Sequence, residues 1–472
     1  MTNLVFYELN EVPIKLFEHF ANAFPKSSFA YLLSRSNLYE TYTADVGDLS
    51  PWISWPTLHR GVSNVDHNIS DLGQNLQYTD KYFPPVWQIL DNSGVKVGLF
   101  GSLQSYPVPF GGSNYSFYVP DTFAAGPETI PSHFDKFQKF NLGMTSVNGR
   151  NVVSQVLLRE AIDFVRTAPF IGLTGETAVR LAYQLISEKF NASRIVRRRS
   201  SQTEIAFDLF FNLLKKRKPQ ISFFFTNHLA SSMHRYWPTI FPTDYNESKF
   251  DNEWLNSWRN EIPHSIRVAD RQMWKLIALC NQNNSRLVVT SSMGQAAVDG
   301  SELISSQVLI SNVSKLFEFL GISRDEWEPR LSMAPRVVIR PKYETFKKKI
   351  SMLENLTVNG APISMQNLDT GDFCFNVFLF NQKDLKVDFK GKSVDPSHVG
   401  IKNVDLQDAA GSNAYHIPEG ILIDYNSQKK FIREIKRNWQ KISVLEVAPS
   451  ILNYFGVKSL NHMQSDNSIF YH

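Results

Sequence analysis

Hydrophobic positions along this 472-residue chain follow two periods. Short apolar runs bounded by polar residues occur at Leu4 to Leu9, Val95 to Phe100, Ile221 to Thr226 and Arg286 to Thr290, and the pattern resumes at Gly420 to Asp424. Such runs predict strands buried on both faces. Between them, apolar residues recur at helical spacing over 12–33 (interrupted at Pro25), 86–91, 151–217, 265–280 and 444–455. Residues 105–150 are rich in Pro, Gly, Ser and aromatics and are expected to be largely loop. Residues 325–400 change character. They alternate β-like pieces (Arg336 to Arg340, Phe373 to Phe380) with a basic helix around Lys347-Lys348-Lys349. This stretch is expected to be an inserted α+β cap subdomain, with 1–324 and 401–472 forming the core. Strands alternating with helices predict an α/β fold: a mainly parallel central sheet with helices on both faces.

Composition narrows the class. With 43% apolar and 20% charged residues the chain is ordinary globular material, neither disordered nor fibrous. Its net charge of +4 is too small to argue for a nucleic-acid partner. Two cysteines, Cys280 and Cys374, exclude a disulfide framework and a Cys-ligated zinc site. The amino terminus lacks a basic region and Glu8 breaks its apolar run, so it does not read as a signal peptide. No apolar run approaches the roughly 18 residues of a membrane span. The default compartment is therefore the cytoplasm.

In a parallel sheet, ligands bind beyond the carboxyl ends of the strands. After the first strand come Asn10 and Glu11, with Glu8 inside its end; after the third, Asn227, His228 and then His234; after the fourth, Ser291, Ser292 and Met293. Polar residues follow buried strands in any such fold because loops are polar. Three polar strand ends together predict one cleft.

The segment Leu49-Ser-Pro-Trp-Ile-Ser-Trp-Pro-Thr-Leu-His-Arg-Gly61, followed by His67-Asn-Ile69, resembles the nucleophile loop of the alkaline phosphatase superfamily, in particular its type I phosphodiesterase/nucleotide pyrophosphatase branch. Further stretches match in order: Ser93 to Pro107, Phe117 to Phe123, Leu287 to Gly294, His416 to Leu422 and Val444 to Leu452. The resemblance covers most of the chain except about 130–200 and 325–400. It implies an alkaline-phosphatase-like fold and a site with two zinc-type ions roughly 4 Å apart. Carried over residue by residue, that site is altered. Asn10 stands at the first-strand Asp, and Ser292-Met293 at the late Asp-His pair. The nucleophile falls on Ser50 or Pro51, depending on a one-residue shift. Neutral Ser and Met do not supply the ligands one of the ions needs. For the other ion His234 and His416 match, while the Asp position is Ala230, which leaves His228 or Asn227 to complete the set. The runs Glu8-Leu-Asn-Glu11, Pro51 to Gly61, Asn227-His228 and Met233-His-Arg-Tyr-Trp237 further resemble a subgroup associated with bacterial surface-polysaccharide gene sets.

The resemblance and the residues together imply a division of roles. Ser50 is the candidate nucleophile, with His59 (or His67) as its base and Glu11 as general acid/base. One zinc-type divalent ion would sit on His234, His416 and His228 or Asn227. Glu8, Asn10, Arg235, Trp52, Trp55 and Ser292 are the candidate substrate contacts. Each has a plainer reading: Ser50 as a helix cap, Glu11 as a surface acid, His228 and His234 as hydrogen-bonded loop residues, the tryptophans as core. The basic runs Arg194 to Arg199 and Lys215 to Lys218 read as solvated helix faces. Two functions follow. One is a metal-assisted hydrolase or transferase, phosphodiesterase-like or sulfatase-like, acting on a phosphate or sulfate ester of a small molecule, glycan or nucleotide-linked substrate. The other is an inactive relative that binds a glycan or sugar phosphate.

Overall fold

The computed structural model describes residues 4–109, 114–145, 171–246, 250–298, 303–332, 335–368, 371–429, 438–463 and 469–470. The helical spacing expected at Val153 to Phe164 lies outside the described residues. The chain divides into two compact units. The first comprises Met1–Gly143, Gln155–Ser301 and Ser412–His472; the second comprises Met144–Ser154 and Glu302–Gly411.

The first unit is an α/β structure around an eight-stranded sheet. Its centre is β1 (Leu4–Leu9), every residue of which is buried. It lies between β5 (Ile221–Thr226) and β6 (Arg286–Thr290), parallel to both. Beyond β5 follow β3 (Val97–Phe100) and then β4 (Phe117–Val119), also parallel. Beyond β6 lie Glu419–Asn426, β2 (Asn37–Tyr42) and Gln440–Ser443. Only Glu419–Asn426 runs against its neighbours.

Side chains alternate across this sheet as strand geometry demands. Phe6 stacks on Phe223, and Trp87 packs on that ring from the helix Val86–Asn92. Tyr7 and Phe224 point the other way. There Tyr7 hydrogen-bonds Gln272 of the helix Glu261–Asn283, and Phe224 packs on Phe207 and Phe210 of the helix Arg198–Arg217. Helices thus cover both faces. The register pairs Leu9 with Thr226 and Glu8 with Thr290, so β1, β5 and β6 end side by side.

The stretch 105–150 is not all loop. Phe117–Val119 is a buried sheet strand, and Asp135–Thr145 is a helix that buries Phe137 and Phe140. The closing segment is a 3-10 turn, Val444–Glu446, followed by the helix Val447–Tyr454.

The second unit is built from short antiparallel strands. One sheet runs Ser364–Asn367, Phe373–Asn376, Val337–Pro341, Trp327–Arg330, and a second pairs Ala361–Pro362, Leu356–Val358, Val387–Phe389 and Lys392–Val394. The basic helix is present at Glu344–Ile350. Phe317, Trp327, Phe346, Phe373 and Phe375 form its core. This unit is wider than 325–400 because Ser306–Ile310 pairs with Ile401–Asp405 outside those bounds. Among the described residues no helix is long and apolar enough to cross a membrane.

Candidate metal centre

At the carboxyl end of β1 the chain turns through Asn10 and Glu11, and Glu11 adopts a left-handed φ of 58°. Non-glycine residues pay about 1 kcal/mol or more for that region. The turn aims the Glu11 carboxylate at two histidines. His234 comes from the helix His228–Tyr236, which follows β5 directly. His416 comes from the strand Ala414–Ile417, which pairs with β7 (Gly294–Ala297) just beyond β6, so that His416 lies opposite Gln295. Only glycine fits at 294, where a Cβ would stand 2.3 Å from the Glu419 carbonyl oxygen.

Nε2 of His234 lies 3.0 Å from Glu11 Oε2, and Nε2 of His416 lies 3.4 Å from the same oxygen. Among the described residues this is the group of three His, Cys, Asp or Glu side chains whose ligand atoms converge. Asn10 Nδ2 donates to Glu11 Oε1 at 2.7 Å, and Gln295 Nε2 donates to Glu11 Oε2. Glu11 is buried, whereas the His234 side chain is 22% exposed and that of His416 9%, so the cluster opens on the histidine side.

The other ring nitrogens decide the protonation. Nδ1 of His234 is 2.7 Å from the Ala414 carbonyl oxygen, and Nδ1 of His416 is 2.6 Å from that of Leu49. A carbonyl only accepts, so each Nδ1 carries a proton. Each Nε2 then either carries a second proton or presents a lone pair toward a carboxylate. Two such lone pairs facing one carboxylate oxygen are tolerable only with positive charge between them. The pocket is therefore built around positive charge, from imidazolium protons or from a cation. Electrostatics agree. Burial alone would raise the Glu11 carboxyl, but the charges and hydrogen bonds of His234 and His416 outweigh it and hold it well below the usual carboxylate range. Burial would lower His416, yet the Glu11 charge and the Leu49 carbonyl lift it above the ordinary histidine value.

The donor set also fits a divalent ion. Two histidines and a carboxylate are a familiar catalytic zinc set, with backbone carbonyls fixing the imidazoles from behind. Ligand atoms about 2.0–2.1 Å from one tetrahedral ion stand roughly 3.3 Å apart. The side-chain oxygens of Gln295 and Asn413 are buried nearby without a hydrogen-bond partner; the Asn413 backbone N–H donates to the His234 carbonyl at 2.6 Å.

The polar groups beside the cluster are neutral. Asn10 is buried and bonds Glu11, Asn227 and Trp55 Nε1, each at 2.7 Å. The hydroxyls of Ser54 and Ser292, both fully buried, lie 2.8 Å apart. Ser50 is the N-cap of the helix Pro51–Arg60 and follows the carbonyl that holds His416. Its hydroxyl accepts from Trp52 N at 3.3 Å, and its carbonyl takes the N–H groups of Ile53 and Ser54. The first-turn N–H groups are thus engaged locally.

Several expected roles change with these positions. His228 does not join the cluster, because Thr226 Oγ1 sits 2.7 Å from its Nδ1 and the Ser265 carbonyl 3.0 Å from its Nε2. The carboxylate that completes the set is Glu11, which the sequence reading assigned to acid/base work. Asn227 instead accepts from Asn10. His59 is not a base for Ser50: its Nε2 lies 2.6 Å from Glu8 Oε1, inside the core between Trp55 and Trp87. Glu8 is no substrate contact, being fully buried with its other oxygen accepting from Ser102 at 2.7 Å. His67 bonds Thr57 Oγ1 at 3.0 Å, which Asp45 also holds. Trp55 and Ser292 are fully buried and cannot line a rim. Trp52 is half-buried and packs edge-on against Phe123. Arg235 is buried against Ser231 of its own helix. In the basic run, Arg197 forks onto Glu261 and Arg198 onto Glu188. Gln295 escaped the sequence reading, because its only signal was a polar residue two positions past Met293.

Fold and cluster together define an α/β protein with three converging donors, Glu11, His234 and His416, at the carboxyl ends of its parallel strands. No family model matches the chain, and no curated protein matches it. Solved structures similar to it include murine ectonucleotide pyrophosphatase/phosphodiesterase 5, both as such and as an inactive variant in complex with AMP, each at 12% identity and TM-score 0.41 over 98% of both chains. The human counterpart is similar at 10% identity and TM-score 0.38, over 98% of this chain and 97% of that one.

Proposed function

We propose that this chain is a divergent alkaline-phosphatase-like protein that works with one divalent ion on Glu11, His234 and His416, as a hydrolase or transferase of a phosphate or sulfate ester. The observation that carries the reading is the aim of two imidazole Nε2 atoms at one Glu11 oxygen while both Nδ1 atoms are committed to carbonyls. Such an ion supplies positive charge to the non-bridging oxygens of a phosphoryl or sulfuryl group. Glu11 and the two histidines hold the charge at the strand ends. Ser50, adjacent in sequence to the carbonyl bound by His416, is the nucleophile of this reading. The motif order quoted above favours a phosphodiester, and the subgroup resemblance favours a glycan or nucleotide-linked substrate.

A second reading, binding without turnover, is favoured by one observation. Asn10 and the Ser54–Ser292 pair beside the cluster are neutral, and His59 is turned away from Ser50. Metal analysis of the purified protein, followed by assays on aryl phosphodiesters, phosphomonoesters and sulfates, separates the two. One equivalent of a zinc-type ion, with hydrolysis lost in Ser50→Ala and in His234→Ala/His416→Ala, supports the enzyme. An ion retained without turnover of any ester supports the binding protein. No ion retained, with hydrolysis unaffected by the histidine changes, overturns the metal reading.

A further inference from the structure

A cavity lies away from this cluster. It measures about 480 Å³ and sits where the helix α1 (Ile14–Ala23) ends, the helix α2 (Ser28–Arg35) begins and the helix Glu261–Asn283 passes beneath them. α1 begins three residues after Glu11 and spans ten residues, about 15 Å at 1.5 Å per residue. It shares no residue with the cluster.

Its walls are apolar and its mouth is positive. Phe20, Phe24, Phe29 and Ile266 line the interior. Phe24 stacks on Phe20 with ring centroids 5.4 Å apart, yet remains 45% exposed. At the mouth stand Lys26 and Arg267, both exposed, and neither forms an ion pair among the described residues. The one acid lining it, Asp270, is engaged by the start of α2. Its Oδ1 accepts from Ser28 N at 2.7 Å and from Ser28 Oγ at 2.6 Å, at the start of α2. A volume in the range of small-molecule pockets, aromatic walls and two uncommitted cations at the rim define the occupant by complementarity.

We propose that this cavity is a second ligand site, for a small anionic amphiphile whose aromatic or aliphatic body lies on Phe20, Phe24 and Phe29 and whose carboxylate, sulfonate or phosphate head meets Lys26 and Arg267. The site is independent of the metal reading and stands or falls separately from it.

The test uses the full chain, with anilinonaphthalene sulfonate and laurate as anionic probes, and dodecanol and dodecyltrimethylammonium as neutral and cationic controls. The anions are expected to bind with micromolar affinity and the controls about tenfold or more weaker, the scale of one productive charge contact. Arg267→Glu with Lys26→Glu, both at exposed positions, is expected to cost the anions about tenfold or more. Ala23→Trp, which fills the cavity, is expected to abolish binding. An unchanged urea-denaturation midpoint in these variants shows the fold intact. Equal binding of all three probe classes, binding indifferent to both variants, or no binding at all overturns the proposal.

Discussion

Strand β1 and the turn that follows it carry two glutamates three residues apart, and both meet histidines. Glu8 and His59 form one pair, 0% and 1% exposed, with Ser102 on the second carboxylate oxygen. Glu11, His234 and His416 form the other set, open on its histidine side. Side-chain chemistry is the same in both, and position on the strand separates them. Glu8 has the parity of Phe6, so it points into the layer under the helix Pro51–Arg60 and is paired where water does not reach. Glu11 lies past the last ladder residue, in a left-handed turn that faces the ends of β5 and β6. A glutamate–histidine contact is thus a structural element in one place and a candidate ion site a few residues on.

The sharpest way to break that contrast is to remove one member of each set. His59→Ala leaves a buried carboxylate without its partner and is expected to cost about 3–5 kcal/mol in urea denaturation. His234→Ala, at a partly open position, is expected to leave the denaturation midpoint nearly in place. A loss below about 1 kcal/mol at His59 would place Glu8 outside the structural role.

Cation affinity comes next. Outer contacts to metal ligands cost 10–100-fold when removed, so loss of a ligand is expected to exceed about 100-fold. Titration of zinc into Glu11→Gln and His416→Ala should show this, while Glu8→Gln keeps whatever affinity the wild type has. Equal losses at Glu8 and Glu11 would erase the distinction between the two glutamates.

Acid sharpens the comparison through the remaining histidines. Burial, the larger cause, holds His228 down at about 4, and burial together with Arg60 holds His67 down at about 3. Both stay neutral in the fold, whereas the unfolded chain takes a proton near 6.5. Their stability is therefore present above about pH 6.5 and is lost as pH falls toward the folded values. At about pH 5 each is expected to cost about 2 kcal/mol relative to about pH 7.5. His416 works in the opposite sense: its raised value stabilises the metal-free protein below about pH 6.5, and that contribution fades as pH rises. Urea titrations at the two pH values, with His228→Gln flattening the difference, check the sign. A pH-independent midpoint would contradict it.

The smallest effect is expected at Ser50. Loss of its cap in Ser50→Ala should cost about 1 kcal/mol of stability. If Ser50 is also the nucleophile, any ester hydrolysis falls to background while that small change is all the denaturation curve records. Activity that survives intact would leave Ser50 as a cap alone.

Much of the architecture was legible because continuous apolar runs have few alternatives. β1, β5 and β6 bury every residue or nearly so, and their length and composition already marked them as central strands. The edges were not legible. Asn37–Tyr42 and Gln440–Ser443 are largely polar and carry no run to detect, and Phe117–Val119 is only three residues long. Their pairing depends on a neighbouring strand being there first. Within the site, His234 and His416 could be named from motif order, but their partner could not.

On its own, the amino-acid sequence determined that a mainly parallel sheet would form and that Asn10, Glu11 and His234 would lie near its carboxyl ends. Tertiary structure alone decided that Glu11, rather than His228, completes the set with the two histidines, and that His59 turns inward to Glu8. The reason is physical. Strand periodicity tells which way a side chain points relative to its own backbone, while the identity of the group it meets depends on register, on one left-handed turn and on carbonyls contributed from hundreds of residues away.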